Sequence, residues 1–143
     1  MINRGFLVGL GIGFLILSGC SPVETAKVIW GSSTRALEEA RADALREEFP
    51  LNYDDCFREV LQIAELQKWE IFIKEKRRGL IVVMGVKGAV NTTEVGIFFD
   101  RIGATRTKVE ISSLSSSAKH IVSDIIFEEL RKSGSPTEGE GKP

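Results

Sequence analysis

Histidine and cysteine are scarce in this sequence: among 143 residues, His120 is the one histidine, and Cys20 and Cys56 are the two cysteines. Zinc and related metal sites need several imidazole or thiolate ligands at close spacing, so we expect neither a metal site nor a cofactor. A basic excess is absent too, since 19 Lys and Arg stand against 20 Asp and Glu. Proteins that bind nucleic acid neutralise phosphates with a basic surface. This class is therefore excluded, and the length suits one small domain.

Long apolar runs are absent except near the start, where the uncharged residues 5–17 follow Arg4. A positive residue, an apolar stretch of about 7–15 residues and small residues at its end are typical of a signal peptide. A permanent membrane span needs about 20 apolar residues, more than this run provides. The run ends at residues 17–20, Leu-Ser-Gly-Cys, which resemble the lipobox of bacterial lipoproteins at all four positions.

The resemblance implies that the thiol of Cys20 receives a diacylglyceryl group and that cleavage between Gly19 and Cys20 removes residues 1–19. The new amino terminus is then acylated as well, and the chains anchor the protein in a membrane. Because Ser21 rather than Asp follows the cysteine, the resemblance implies the outer membrane of a bacterial envelope, with the domain facing the periplasm. An uncleaved single-span anchor and a secretory leader with a chance cysteine are the alternatives.

The second cysteine, Cys56, has no intramolecular disulfide partner once Cys20 carries a lipid. Its position on the apolar side of a predicted helix favours burial. We therefore predict an inert, buried thiol in a monomeric protein, and an intermolecular disulfide is the alternative.

The mature chain divides into an anchor segment, a domain and a tail. Residues 20–49 hold the lipid anchor and an N-terminal helical segment, residues 50–132 form the domain, and residues 133–143 form a disordered tail of Gly, Pro, Ser and charge. Acidic residues near its start and Arg46 near its end predict a helix over residues 34–49. Its apolar stripe is narrow, so this helix is either a stalk or lies on the domain.

The periodicity of the domain predicts two helices and four strands. Apolar residues recur at helical spacing over residues 53–68 and 117–132. Alternation with a period of two predicts antiparallel strands over residues 69–75, 80–86, 93–100 and 105–111. The expected fold is α+β, a two-layer sandwich of a four-stranded antiparallel sheet with helices on one face, in the order α-α-β-β-β-β-α. This order resembles the small helix-grip-type domains of bacterial envelope lipoproteins, from which we carry over no functional residue.

The predicted sheet is apolar on both faces, although a half-solvated antiparallel sheet is polar on one. The face expected to pack against the helices carries Ile71, Ile73, Val82, Met84, Val95, Ile97, Phe99, Val109 and Ile111. The other face, called the second face below, is expected to carry Phe72, Ile81, Val83 and Phe98.

Two interpretations account for an apolar second face. In the first, the N-terminal helix covers it with Val28, Ile29, Trp30, Leu37 and Leu45. In the second, a partner chain or a second copy covers it, and Phe72, Ile81, Val83, Phe98 and Trp30 are then the candidate interaction surface. Trp30 at the lipid interface is a further alternative.

The sequence contains no residue pattern typical of an enzyme. A catalytic triad needs a positioned serine and an oriented base, and His120 with Asp124 only formally permits a hydrolase. We therefore expect a membrane-tethered, non-enzymatic interaction or scaffold module that meets another envelope protein. The alternative is a carrier or sensor of a small apolar ligand in a groove between the sheet and the closing helix. We interpret the mixed charges of residues 65–78 as a solvated helix end and hairpin tip rather than a docking site.

Overall fold

The computed structural model describes residues 33–135. The described part of helix α1 covers residues 33–39 and continues as a 3-10 turn, Ala40–Asp43. The other elements are β1 (Leu45–Phe49), α2 (Tyr53–Leu66), β2 (Glu70–Glu75), β3 (Leu80–Met84), β4 (Val95–Gly103), β5 (Arg106–Ser112) and α3 (Ser116–Gly134). The predicted signal peptide, the lipobox with Gly19 and Cys20, Trp30, and the predicted tail from residue 136 onward lie outside the described residues.

The strands form one antiparallel sheet in the order β1-β5-β4-β3-β2. The α+β class with an antiparallel sheet is confirmed, but four strands in the order α-α-β-β-β-β-α is wrong, because residues 45–49 form a fifth strand. Leu, Arg and Glu favour helices in isolation. Here, however, Leu45 pairs with Ile111 and Phe49 with Thr107 of β5. Pairing along a sheet edge therefore overrides the local helix propensity.

The helices α2 and α3 begin at side-chain caps. Asn52 is the N-cap of α2 and accepts a hydrogen bond on Oδ1 from the backbone N–H of Asp55 at 2.9 Å. Ser115 caps α3, since its Oγ accepts from the backbone N–H of Ala118 at 3.3 Å. Such caps satisfy N–H groups that lack a partner within the helix. At its other end, α3 stops at Gly134, and Ser135 is the C-cap.

The main core lies between the sheet and the helices α2 and α3. Its fully buried side chains come from both layers and include Val60, Val122, Ile126, Leu130, Ile81, Val83, Ile97, Val109 and Ile111. Burying a side chain of this kind stabilises the fold by about 1.5–3 kcal/mol. Within residues 33–135, no helix combines the length and apolar character that crossing a bilayer requires.

The structure corrects the face assignment of β2 and β3. Ile81 and Val83 pack in the main core with the helices, whereas Ile73 and Val82 lie on the second face. β3 is apolar on both faces, so its alternation could not select one. Its register with β4, which pairs Ile81 with Ile97, decides the orientation. A bulge between Ile71 and Ile73 puts these two residues on opposite faces.

The N-terminal helical segment packs on the second face. Leu37 of α1 is buried there in a smaller cluster with Ile73, Leu80, Val82 and Phe98, and the backbone carbonyl of Leu37 accepts a hydrogen bond from Ser112 Oγ at 2.9 Å. Helices therefore lie on both faces of the sheet, which corrects the expected placement on one face. Of the residues expected to cover this face, Leu37 does so, Leu45 belongs to β1 and packs on the main core, and Val28, Ile29 and Trp30 lie outside the described residues.

Candidate functional site

The structure does not bring the candidate hydrolase residues together. His120 and Asp124 are exposed on α3, and no hydrogen bond joins their side chains within the part of the chain that the structure describes. The nearby hydroxyls have structural partners, because Ser113 Oγ donates to the carbonyl of Glu94 at 2.7 Å and Ser115 caps α3. Residues 33–135 also contain no cluster of three His, Cys, Asp or Glu side chains suited to a metal ion.

Cys56 lies in the main core on α2 and is fully buried, as predicted. Burial and, secondarily, the nearby Glu59 raise the pKa of its thiol to about 12. The thiolate is the reactive form of cysteine. At neutral pH this residue is therefore both inaccessible and protonated.

We expect Cys56 to resist maleimide in the native protein and to react fully once urea unfolds the chain. Mass spectrometry before and after denaturation measures this, and the Cys20→Ser variant is the control in which Cys56 is the one thiol. We also expect a monomer on a non-reducing gel. Rapid labelling of the native protein, or a dimer that reductant dissolves, would contradict the expectation.

The residues proposed as an interaction surface do not form an exposed patch. Ile81 and Val83 are fully buried under the helices, and Phe98 is buried on the second face. Phe72 is half-buried beside that smaller cluster, and Trp30 is outside the described residues. Within residues 33–135, α1 of the chain itself covers the second face.

An ion-pair network holds the N-terminal segment on this face. Arg41, in the 3-10 turn, places its guanidinium 4.4 Å from the ring centroid of Phe98. Its Nη2 lies 2.5 Å from Oε2 of Glu110 and 3.2 Å from Oδ2 of Asp100. Lys108 Nζ lies 3.2 Å from a carboxylate oxygen of both acids. Burial alone would raise the pKa of Glu110, but hydrogen bonds from Arg41 and Lys108 outweigh it and lower the pKa.

We expect this network to make stability depend on pH. A carboxyl with a lowered folded-state pKa stabilises the fold above its ordinary pKa of 4.5, and that stabilisation is lost as the pH falls through the folded-state value. Glu110→Gln should therefore cost about 1–2 kcal/mol at pH 7, and the difference from wild type should shrink in acid. Urea unfolding from pH 7 to 3 measures it. Glu39→Gln, which removes an exposed pair with Arg35, is the control, and equal costs for the two variants would contradict the expectation.

The space between the sheet and α3, the predicted place of an apolar-ligand groove, is filled. Val122, Ile126 and Leu130 of α3 are fully buried against the sheet. A cavity of about 420 Å³ lies instead beside α1 and the loops that precede β4 and α3, where Leu37, Glu94 and Leu114 are among its lining residues.

A second cleft, of about 610 Å³, opens at the other end of the sheet. Three elements meet there: the start of α2, the hairpin tip between β2 and β3, and the outer part of β4. We call it the Tyr53 cleft, and it is lined by Tyr53, Lys76, Arg77, Arg78, Gly79, Phe99, Asp100 and Arg101.

Gly79 closes the hairpin tip against β4. Its φ of +62° is a left-handed conformation that L side chains rarely adopt. Its carbonyl accepts a hydrogen bond from the backbone N–H of Phe99 at 2.9 Å. A Cβ at this position would stand 2.4 Å from the carbonyl oxygen of Phe99 and 2.9 Å from the hydroxyl of Tyr53. Only glycine allows the tip to approach β4 this closely.

Tyr53 forms the floor of the cleft and orients one of its arginines. Its hydroxyl donates a hydrogen bond to the carbonyl of Lys76 at 2.5 Å, and the guanidinium of Arg101 lies over its ring, with Cζ 4.2 Å from the centroid. Burial raises the pKa of Tyr53 although Arg101 and Lys76 act to lower it. The phenol therefore stays protonated at neutral pH and serves as a donor rather than a base.

The cleft contains cationic groups without ion partners. Lys76 pairs with Asp54 at 2.8 Å and Arg78 with Glu75 at 3.2 Å, but among the described residues no carboxylate pairs with Arg77 or Arg101. The carboxylate of Asp100 pairs with Arg41 and Lys108 on the second face. A guanidinium presents paired N–H donors that match a carboxylate or phosphate. The chemistry available here is recognition of an anionic group.

The sequence shows the charge run that contains Arg77 and Arg78, but this run is typical of a solvated helix end and hairpin tip. Tyr53 and Arg101 could not be found in the sequence, because they belong to α2 and β4 and meet the tip only in the folded chain. The one local signal was Gly79 after two arginines, which marked a turn but not a cleft.

No protein-family model matches this chain, and no curated protein matches it significantly.

Proposed function

We propose that this protein is a lipid-anchored, non-enzymatic interaction module of the bacterial envelope that binds an acidic segment of another envelope protein at the Tyr53 cleft. The lipobox at Cys20 supports the anchor, and the unpaired guanidinium groups of Arg77 and Arg101 support the binding site. The second observation carries the proposal, because neither guanidinium has a carboxylate partner among the described residues and Arg101 is held over the ring of Tyr53.

The geometry favours binding over catalysis. Arg101 is held over a ring whose own hydroxyl is engaged with a backbone carbonyl, so the guanidinium is oriented before a ligand arrives. Less conformational entropy is then lost on binding. The phenol of Tyr53 is protonated, and the carboxylate of Asp100, the one acid among the lining residues, is paired with Arg41 and Lys108.

The anchor is tested on protein purified from a bacterial host. We expect mass spectrometry to find a chain that begins at Cys20 and carries acyl and diacylglyceryl groups, and we expect Cys20→Ser to leave the membrane fraction. Intact Met1 or an unmodified Cys20 would overturn the anchor.

The binding site is tested by charge reversal at two exposed positions. Chemical cross-linking in intact cells should recover an envelope protein with wild type, and synthetic peptides covering its acidic segments should bind the purified chain. We expect Arg77→Glu with Arg101→Glu to weaken peptide binding at least tenfold, since one charge-assisted hydrogen bond contributes about 1.5–3 kcal/mol. Arg35→Glu, which reverses an exposed arginine on α1, is the matched control. Equal binding by both variants would refute the site.

An apolar-ligand carrier is the second candidate. The filled space between the sheet and α3 gives it no support, but the 420 Å³ cavity beside α1 offers room for a small apolar ligand. If the wild-type protein retained fatty acid through purification and the Leu37→Trp variant did not, the carrier would be favoured over the interaction module.

A further inference from the structure

Large apolar side chains are exposed at one end of the domain. Leu66 and Leu114 are each 80% exposed and Val90 is 71% exposed, whereas the other large hydrophobic residue exposed in the described chain, Ile102, is 47% exposed. Single exposed apolar residues are ordinary, but three in one region indicate a contact surface.

The strand register and the contacts between connections place these three residues at the same end of the sheet. Leu66 ends α2, just before β2 begins. Gly85 opens the loop that carries Val90, and this loop starts close to β2, since a Cβ on Gly85 would lie 3.9 Å from the backbone nitrogen of Glu70. That loop ends at Glu94, whose carbonyl accepts a hydrogen bond from Ser113, the neighbour of Leu114. We call the surface formed by Leu66, Val90 and Leu114 the apolar end.

The chain enters the domain at this same end. Ser33, the first described residue, hydrogen-bonds through its hydroxyl to the carboxylate of Glu94. Residues 21–32 join Ser33 to Cys20. An extended chain spans at most ~3.5 Å per residue, so Ser33 lies no more than about 45 Å from an anchor at Cys20. The tether keeps the apolar end at high effective concentration near the bilayer.

We propose that the apolar end rests on the membrane surface, with Leu66, Val90 and Leu114 in the boundary between headgroups and acyl chains. This inference rests on the proposed lipid anchor at Cys20. Charges at this end are of both signs, because exposed Lys68 and Lys87 stand beside exposed Glu65 and Glu70. Contact is therefore apolar in character, and salt weakens it little.

This orientation directs the Tyr53 cleft away from the bilayer. Arg101 and Ile102 lie near the turn between β4 and β5, at the opposite end of the strand from Val95, which follows Glu94. A short-tethered domain that rests on its apolar end therefore presents its cationic cleft to the aqueous space, where an acidic segment of another protein can reach it.

The test uses the lipidated chain in vesicles of phosphatidylethanolamine and phosphatidylglycerol. Single cysteines at Val90→Cys, Leu114→Cys and, as the control at the opposite end, Ile102→Cys receive an environment-sensitive fluorophore. Cys20 is blocked by its thioether and Cys56 is buried, so the label is specific. We expect emission from positions 90 and 114 to shift to shorter wavelength and to be quenched by nitroxide lipids, and emission from position 102 to remain unchanged.

A second variant avoids any insertion driven by the label itself. Leu66→Ser with Val90→Ser and Leu114→Ser should still float with vesicles through the lipid, but should lose the vesicle-dependent hydrogen-exchange protection of residues 85–94. Ile102→Ser should keep that protection.

The outcomes separate this inference from the proposed function. If the protein floats with vesicles but the emission at positions 90 and 114 does not shift, or shifts equally at position 102, the proposed membrane contact is wrong. The lipid anchor is then unaffected. If the fluorophores at positions 90 and 114 are already shielded from water without vesicles, a second copy of the protein covers the apolar end, and the proposed membrane contact is wrong. Chain that does not float at all overturns the anchor and this inference together.

Discussion

Replacing Gly79 with Ala is expected to lower the free energy of unfolding by about 2–4 kcal/mol. A left-handed backbone conformation costs an L side chain roughly 1–2 kcal/mol. The added methyl carbon would stand 2.4 Å from the carbonyl oxygen of Phe99 and 2.9 Å from the Tyr53 hydroxyl, and relieving such overpacking costs about 1–3 kcal/mol more. The backbone of Phe99 cannot move freely, because β4 is hydrogen-bonded to strands on both sides.

Urea unfolding at neutral pH measures this loss, and a second glycine provides a matched control. A Cβ on Gly103 would meet no atom within 4 Å, and this glycine has no left-handed φ, so Gly103→Ala should change stability by less than about 0.5 kcal/mol. A Gly79→Ala variant as stable as Gly103→Ala would show that the hairpin tip does not need its close approach to β4. The Tyr53 cleft would then lack a rigid wall on that side.

Replacing Leu37 with Ala is expected to cost about 2–4 kcal/mol. Leu37 is 2% exposed in the cluster on the second face, and truncation of a buried leucine loses both its transfer free energy and the packing around the cavity left behind. The cost should approach that of a core residue, although α1 precedes the main domain in sequence. Leu66→Ala is the control, because that leucine is exposed, and it should change stability by less than about 0.5 kcal/mol.

The comparison of these two leucine variants decides whether the N-terminal helix is part of the folded domain. Equal, small effects would mean that α1 is a stalk beside a bare sheet face. A large effect at Leu37 alone would mean that the domain begins at the helix, and that residues 21–32 rather than residues 20–49 form the tether to the membrane.

The helices α2 and α3 could be predicted because their signals are local. Asn52 and the apolar stripe of residues 53–66 indicate both the start and the buried side of α2, since a cap and a 3.6-residue period act within a few residues along the chain. The strand β5 could be predicted for the same reason. Its buried Thr107, Val109 and Ile111 alternate with the charged positions between them.

The strand β1 and the faces of β3 could not be predicted in this way. Residues 45–49 have helix-favouring side chains and become a strand only because β5 offers an edge to pair with. β3 is apolar at every position, so either face satisfies its sequence, and register with β4 selects one. The choice depends on energies between residues that are distant along the chain.

The sequence by itself determined the charge balance, the scarcity of metal ligands, the N-cap of α2 and the α+β class, because composition and short-range patterns carry these properties. It also predicts the lipid anchor at Cys20. Only the tertiary structure decided which residues are left exposed and which charges are left unpaired. Tyr53, Gly79 and Arg101 come from three separate parts of the chain, and Leu66, Val90 and Leu114 come from the end of α2 and from two loops. Such surfaces arise from chain packing, and no local pattern encodes them.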